Sequence, residues 1–334
     1  NQMASPEASA PGTGKRTADH AADDEVIKPQ KKFYRTRAHT NVLNANDFWF
    51  PVAPSAVPWH QYFGPSMATG AACPSVSPAP PSGTMATLSH RVQIVDVGCG
   101  YGSLLVALAK TFPTKVCLGI EIRPKIVEYV QKRVLALRAE AKRAPDGMEM
   151  DCEVGSTGTG ACGAHAYDNA WAIHNNAMRF MPNFFAKGQL EKLLFCFPDP
   201  HFKRKNHRKR IISTPLLAEF AYCLCKRGIV YVITDVSELM EWMVNYLTES
   251  TLFERLSRSA LKGDPAVPLL IGTDEGLKVQ RFNGNMYIAA FVKRDDPSAP
   301  REPPQLLDNA EAAAAAADAG YVPKSGGELR GNTW

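Results

Sequence analysis

The sequence predicts an α/β fold: a mostly parallel, seven-stranded sheet with an antiparallel edge strand and helices on both faces. Three observations carry that expectation. Short apolar runs alternate with segments of helical period from about residue 92 to residue 250. A glycine-rich turn, "VDVGCGYGS", joins the first run to the first helical segment. The last two apolar runs, "LFERL" and "MYIAAFVKR", have no helix long enough between them, so the alternation ends in a hairpin at an antiparallel edge.

Taken in order, "VQIVDVG" (92–98) is a buried strand and "SLLVALAKTF" the helix after it. "KVCLGIE" (115–121) is the second strand. Pro124 has the fixed φ of a first helical residue, and Ile126, Val127, Val130, Val134 and Leu137 follow at helical spacing. "NAWAIHN" (169–175) and "EKLLFCFPD" (191–199) are the third and fourth strands. Thr214 and Pro215 start a helix through "LLAEFAYCLCKR", with Gly228 read as its stop. "GIVYVITD" (228–235) is the fifth strand and "SELMEWMVNYLTES" the next helix.

The chain has 334 residues, 45% of them hydrophobic, enough for one or two domains with a core. Residues 1–30 lack periodicity and are expected to be a disordered tail. Residues 31–63 are basic, then aromatic and punctuated by proline, the pattern of an arm that docks on a core. Residues 64–89 form a flexible insertion, 90–294 the folded domain with a loop insertion at about 145–168, and 295–334 a second tail without order. No apolar run reaches the roughly 18 residues of a spanning helix, so no membrane role is expected. The N-terminus has no apolar leader, and the chain opens on Asn1 rather than Met, so a start further upstream is expected. Eight cysteines without a C-x-x-C pair fit a reduced intracellular protein without structural zinc. The net charge of +5 matters only where it is clustered.

The turn reads D-x-G-x-G-x-G: Asp96, Gly98, Gly100 and Gly102. Glycines there allow positive φ and let a ligand approach the backbone. The next strand ends in Glu121, where a carboxylate can accept both ribose hydroxyls of a nucleoside. The spacing differs from the G-x-G-x-x-G of dinucleotide enzymes and suits a nucleoside ligand without a pyrophosphate. It resembles the S-adenosylmethionine turn of Rossmann-like methyltransferases, with Asp96 facing the ligand's amino-acid end. The other readings are an empty strand–helix turn, in which Asp96 merely caps the turn, and a nicotinamide-dependent oxidoreductase.

More of the chain narrows the choice. "KKFYRTRAHTN", "VDVGCGYG", "GIEIR", "NNAM", "NFFAKGQLEKLLFCFPDPHFKRKNHRKRII", "YVITD" and "GTDEGLKV" together resemble the eukaryotic tRNA (guanine-N7-)-methyltransferases, catalytic subunit. "FPDPHFK" is the most distinctive of these pieces, and the insertions depart from more compact relatives. The resemblance implies a Rossmann-like class I methyltransferase domain. It implies Gly98 and Gly100 along the S-adenosylmethionine backbone, Glu121 and Arg123 at the ribose and adenine side, and Asn176 and Ala177 flanking adenine. It puts Cys196 beside the cofactor, Asp199 at the reacting base, Lys203 and Asp235 on the substrate side, and Thr273 and Glu275 over the methionine end or the target base. It also implies a noncatalytic WD-repeat partner, the variable-loop guanine of tRNA as target, and a nuclear location, with the cytoplasm as a second site.

The chemistry fits these groups. Guanine N7 is an exposed lone pair that carries no proton, so methyl transfer needs alignment rather than a general base. The guanine gains positive charge as the reaction proceeds, and a fixed carboxylate nearby stabilises it. Asp199 lies between Pro198 and Pro200, which restrict the backbone on both sides; its blander role is a solvated acid at a strand exit. Lys203, Arg204, Lys205, Arg208, Lys209 and Arg210 follow at once, a block read as binding RNA phosphates rather than as a solvated face or a nuclear localisation signal. Lys31, Lys32, Arg35 and Arg37, interleaved with Phe33 and Tyr34, form a second candidate RNA contact. Thr40 ends an R-x-R-x-x-T pattern and is a candidate phosphorylation switch for RNA approach. His60, His165 and His174 lack ligand spacing, and Trp242 and Tyr246 are read as core. A noncatalytic RNA-binding scaffold with a relic pocket is the alternative from another class.

Overall fold

The structure is a computed structural model that describes residues 28–36, 41–43, 48–64, 67, 91–143 and 166–298. The expectations for both tails and most of the two insertions, like Arg37, Thr40 and His165, lie outside these residues. Strands form where β-branched and apolar residues are contiguous and both faces can be covered: β1 (Val92–Val97), β2 (Val116–Glu121), β3 (Ala170–His174), β4 (Leu190–Cys196), β5 (Leu224–Thr234), β6 (Phe253–Arg255) and β7 (Tyr287–Lys293). The helices between them are α1 (Ser103–Thr111), α2 (Pro124–Arg143), α3 (Met181–Phe184), α4 (Thr214–Cys223), α5 (Ser237–Glu249), α6 (Arg258–Leu261), α7 (Ala266–Ile271) and α8 (Asp274–Arg281). None of the described helices is long and apolar enough to cross a membrane.

The seven strands lie in the order β3-β2-β1-β4-β5-β7-β6. β1 to β5 are parallel, and β7 runs antiparallel to both neighbours. The strand order reverses between β1 and β4, and the carboxyl ends of strands at such a switch point are where α/β sheets bind ligands. One face of the sheet packs Ile94, Leu105, Leu108, Val130, Tyr231 and Leu270 against α1, α2 and α7. The other packs Val95, Leu118, Phe195, Phe220, Met243 and Leu247 against α4 and α5.

Two sequence expectations are corrected. The helix from Thr214 ends at Cys223, and Gly228 lies inside β5. A Cβ at Gly228 would meet the Cys225 and Leu190 carbonyls at 3.1 Å, beside a register shift between Leu190 and Lys192. The glycine thus answers close backbone approach at a strand irregularity, not helix termination. Second, the antiparallel pair stands at the edge, but α6, α7 and α8 lie between β6 and β7, so the two strands are not joined as a hairpin.

The described residues of the arm pack on the sheet domain. Phe50 stacks on Phe180 at 4.3 Å, Trp59 on Phe185 at 6.3 Å and Tyr62 on Trp171 at 6.3 Å. Asn175 and Asn183 donate their amides to the Trp49 and Pro51 carbonyls at 2.8 and 2.9 Å. Arg138 of α2 fastens the next layer: it donates to the Tyr62, Tyr167 and Ala170 carbonyls at 3.1, 3.1 and 2.8 Å, with its guanidinium 5.3 Å from the Trp171 ring centroid. Burial lowers its pKa to about 10, which still leaves it charged at neutral pH.

Candidate active site at the strand switch point

The turn after β1 has φ of 76°, 51° and 73° at Gly98, Gly100 and Gly102. At Gly102 a Cβ would also come within 2.8 Å of Val130 on α2, so this glycine lets the helix pack. At Gly98 a Cβ would meet nothing within 4 Å, so that side of the turn is open to a ligand. The Gly98 and Cys99 amides donate to the Ile120 carbonyl at 2.7 and 3.2 Å, which binds the turn to β2.

Glu121 ends β2 at 3% exposure and is oriented by groups of the protein itself. It accepts from the Gly100 amide at 3.1 Å and from the Arg123 amide, Nε and Nη2 at 2.9, 3.0 and 3.1 Å. Asp96, in β1, is 1% exposed, and neither carboxylate oxygen has a hydrogen-bond partner. Burial, with Glu121 nearby, pushes its pKa up to about 7. A buried, unpartnered carboxylate is costly unless a cation reaches it. The α-ammonium of S-adenosylmethionine is such a cation, and the open Gly98 edge and the ribose-type acid Glu121 lie on adjoining strands. The residues present therefore fit this cofactor. Cys196 ends β4 close by, and burial together with Asp96 pushes its thiol pKa well up.

Asp199 projects from the loop after β4. Phe197 and His201, on either side of the Pro-Asp-Pro unit, are held at φ of 48° and 45°. Such non-glycine conformations persist only where the surroundings over-determine them. Here the Phe197 amide donates to the Ile233 carbonyl of β5 at 2.8 Å, and the His201 amide donates to Asp199 Oδ1 at 3.3 Å. Asp199 is half-buried, and Asp235 is exposed just past the end of the neighbouring β5.

Other predicted site residues turn out to have internal partners. The Asn176 amide donates to the Val42 carbonyl of the arm at 2.7 Å and its oxygen accepts from the Met178 amide, while Ala177 is buried beside it. Thr273 is the N-cap of α8, accepting from the Gly276 amide and donating to the Leu270 carbonyl, both at 3.1 Å. Glu275 is exposed and pairs with Lys278 at 3.4 Å. Lys31 pairs with Asp274 at 2.6 Å and lies 5.3 Å from the Tyr101 ring centroid, so its charge is already engaged beside the glycine turn. Lys32 and Arg35 are exposed.

The basic block divides in two. Lys203, Arg204, Lys205 and Arg208 face solvent and Lys209 is half-buried. Arg210 is 2% exposed, so its reading as a phosphate contact is corrected. Its guanidinium instead holds the Pro200 carbonyl, Glu238 and Trp242. Sequence reasoning missed Glu238 and this use of Trp242; the hint was that Arg210 directly precedes the apolar pair Ile211 and Ile212. Trp242 is partly buried and stacks on Tyr246 at 4.5 Å, packed against the core as expected. His174 bonds the Ile122 carbonyl at 3.1 Å and packs on Phe48, also as expected.

A switch-point sheet with an open glycine turn, a ribose-type acid and a buried carboxylate awaiting a cation defines a Rossmann-like methyltransferase. Residues 90–289 match the model of a family described as a putative methyltransferase. A tRNA (guanine-N(7)-)-methyltransferase of Lodderomyces elongisporus is 42% identical over 287 residues, covering 85% of this chain and 82% of that protein. The enzymes of that name from Xenopus laevis and Caenorhabditis elegans are 42% and 39% identical, over 80% and 84% of this chain and 89% and 95% of theirs. The chain belongs to the tRNA (guanine-N7-)-methyltransferase family.

Proposed function

We propose that this chain methylates N7 of a guanine in tRNA, with Asp199 as the group that meets the base. The observation that carries the assignment is the loop itself: an acid between two prolines, flanked by two positive-φ residues, at the end of the strand next to the glycine turn. S-adenosylmethionine supplies the methyl group as an activated sulfonium substituent. Glu121 and Arg123 hold the ribose side, the edges of Gly98 and Gly100 accommodate the cofactor's chain, and Asp96 pairs with its ammonium. Asp199 accepts hydrogen bonds from guanine N1–H and the 2-amino group and stabilises the positive charge the ring acquires. No proton leaves N7, so Asp199 acts by alignment and charge rather than as a base. Lys203, Arg204, Lys205, Arg208 and Lys209, with Lys32 and Arg35, hold phosphates, and Asp235 meets the substrate side.

The target guanine is that of the variable loop, the partner a noncatalytic WD-repeat protein and the location the nucleus, with the cytoplasm second; family resemblance supports all three. Trp49, Phe50 and Val52 stay exposed on the docked arm, an apolar surface of the kind a partner covers. Co-purification and borohydride/aniline mapping of the methylated guanine test partner and target, and imaging of tagged protein tests the location. Asp199→Ala abolishes methyl transfer with cofactor affinity nearly intact; wild-type turnover in that variant would end the assignment.

A further inference from the structure

Arg210 stands apart from the cations before it. Its Nε donates to the Pro200 carbonyl at 2.8 Å and its Nη2 to Glu238 Oε1 at 2.7 Å, and its guanidinium carbon lies 4.6 Å from the Trp242 ring centroid. Trp242 is fixed in turn: its Nε1 donates to the Ile212 carbonyl at 2.8 Å and its ring stacks on Tyr246. His207 completes the cluster, edge-on to Trp242 at 5.1 Å and 3.9 Å from Glu238.

The positions of the partners give this cluster a meaning. Pro200 directly follows Asp199. Glu238 lies in the first turn of α5, just after Asp235. β4 and β5, which deliver the two acids, are neighbours in the sheet. One buried guanidinium therefore ties the loop of Asp199 to the helix entry behind Asp235. The loop needs such a tie, because Phe197 and His201 sit in left-handed backbone that relaxes unless held. A guanidinium suits the task, since its planar fork serves two divergent acceptors while its face lies on an indole; an ammonium does not.

We propose that Arg210 is a positioning residue for methyl transfer: it clamps the Pro198–Asp199–Pro200 loop to the start of α5 and so fixes Asp199 relative to Asp235. This rests on the assignment of Asp199 above. A phosphate-binding role for Arg210 is excluded by its burial, and the exposed cations of the block keep that role.

The test uses the full chain with tRNA and S-adenosylmethionine, and two variants, Arg210→Lys and Glu238→Ala. Glu238 is 56% exposed at its side chain, so its truncation loosens the clamp without opening the core. Three quantities are read: steady-state kinetics, the salt dependence of tRNA affinity, and hydrogen exchange over residues 197–203. In Arg210→Lys, kcat falls about tenfold to a hundredfold, the scale of an ångström-sized misplacement of a positioned group. Glu238→Ala shows a smaller loss in the same direction. Exchange accelerates in both variants, while KM for tRNA and the salt slope stay at wild-type values. Neutralising Lys203, Arg204, Lys205 and Arg208 does the reverse, flattening the slope by roughly 0.7–0.9 per phosphate contact. Because lysine keeps the charge, the slope is also read in Arg210→Gln, and a drop there of one phosphate contact makes Arg210 a phosphate ligand and overturns the proposal. So does wild-type exchange in both variants. Faster exchange with wild-type kcat overturns the positioning role, and Asp199→Ala then separates the causes: an active variant faults the assignment of Asp199, an inactive one leaves the clamp merely structural. If Arg210→Lys does not fold, Glu238→Ala decides by the same three readouts.

Discussion

Asp96 and Glu121 lie on adjacent parallel strands, and both are buried, yet the chain treats them in opposite ways. Glu121 accepts four hydrogen bonds, one from the Gly100 amide and three from Arg123. Asp96 accepts none. One acid is oriented by the protein before any ligand arrives. The other is held ready for a ligand's positive charge, and burial pushes its pKa up to about 7 in the meantime. A binding site can thus combine an acid whose cost is already met by its neighbours with one whose cost only the ligand relieves.

The largest effect expected of this difference comes from Glu121. Glu121→Ala removes the ribose acceptor and leaves the half-buried Arg123 without its partner, so cofactor affinity falls by about 1.5–3 kcal/mol, the scale of charge-assisted hydrogen bonds. Calorimetry checks this, and unchanged affinity would place the ribose contact elsewhere.

Asp96 sharpens the comparison through pH. Cofactor affinity should be level above pH 7 and fall by up to about tenfold per unit below it, as Asp96 gains a proton and loses its attraction for the ammonium. In the free protein the sign is opposite. The folded-state pKa lies above the ordinary value of 3.8, so the contribution of Asp96 to stability is full below that value and is lost as pH rises through about 7. Asp96→Asn removes both dependences. The free variant should be more stable than the parent by on the order of 1–3 kcal/mol at pH 8, the scale of burying an unpaired polar group, with the gap closing toward pH 4. Thermal denaturation across pH reads the gap, and one that does not change with pH would mean Asp96 already has a partner.

The smallest effect is expected from Arg123→Lys, which exchanges a planar fork for a single point charge. Affinity for the cofactor should drop by about 0.5–1.5 kcal/mol, one net hydrogen bond. A loss as large as that of Glu121→Ala would mean that Arg123 itself holds the ligand and does not only orient the acid.

The parallel half of the sheet was legible because β1, β2, β4 and most of β5 are buried on both faces, and such strands appear as unbroken apolar runs. The segment from β6 to α8 was not. Its helices are four, six and eight residues long, too short for a helical period to stand out. The start of β5 was misread because "CLCKR" continues the apolar spacing of α4 while its backbone has already turned into the sheet. In the site, Asp96, Glu121 and Asp199 stood out because each lies near or just past the carboxyl end of a buried strand. Asn176, Thr273, Lys31 and Arg210 were read as open to ligands, since a sequence does not say which polar side chains the fold uses for itself. Thr273 carried a hint all the same: a threonine before Asp274 and Glu275 is a helix-capping signature.

Arg138 bears on where this enzyme can accept foreign sequence. The chain leaves α2 a few residues after Arg138 and returns at Tyr167, whose carbonyl is bound by that same guanidinium. The described residues before 144 and after 165 are therefore fastened to one largely buried side chain, and β3 begins from a fixed point. Closing a flexible chain segment costs only about 0.6 kcal/mol more in entropy for each doubling of its length. A fluorescent reporter or affinity peptide spliced between residues 144 and 165 should leave the sheet and its ligand-facing edge undisturbed, giving a natural handle on the molecule.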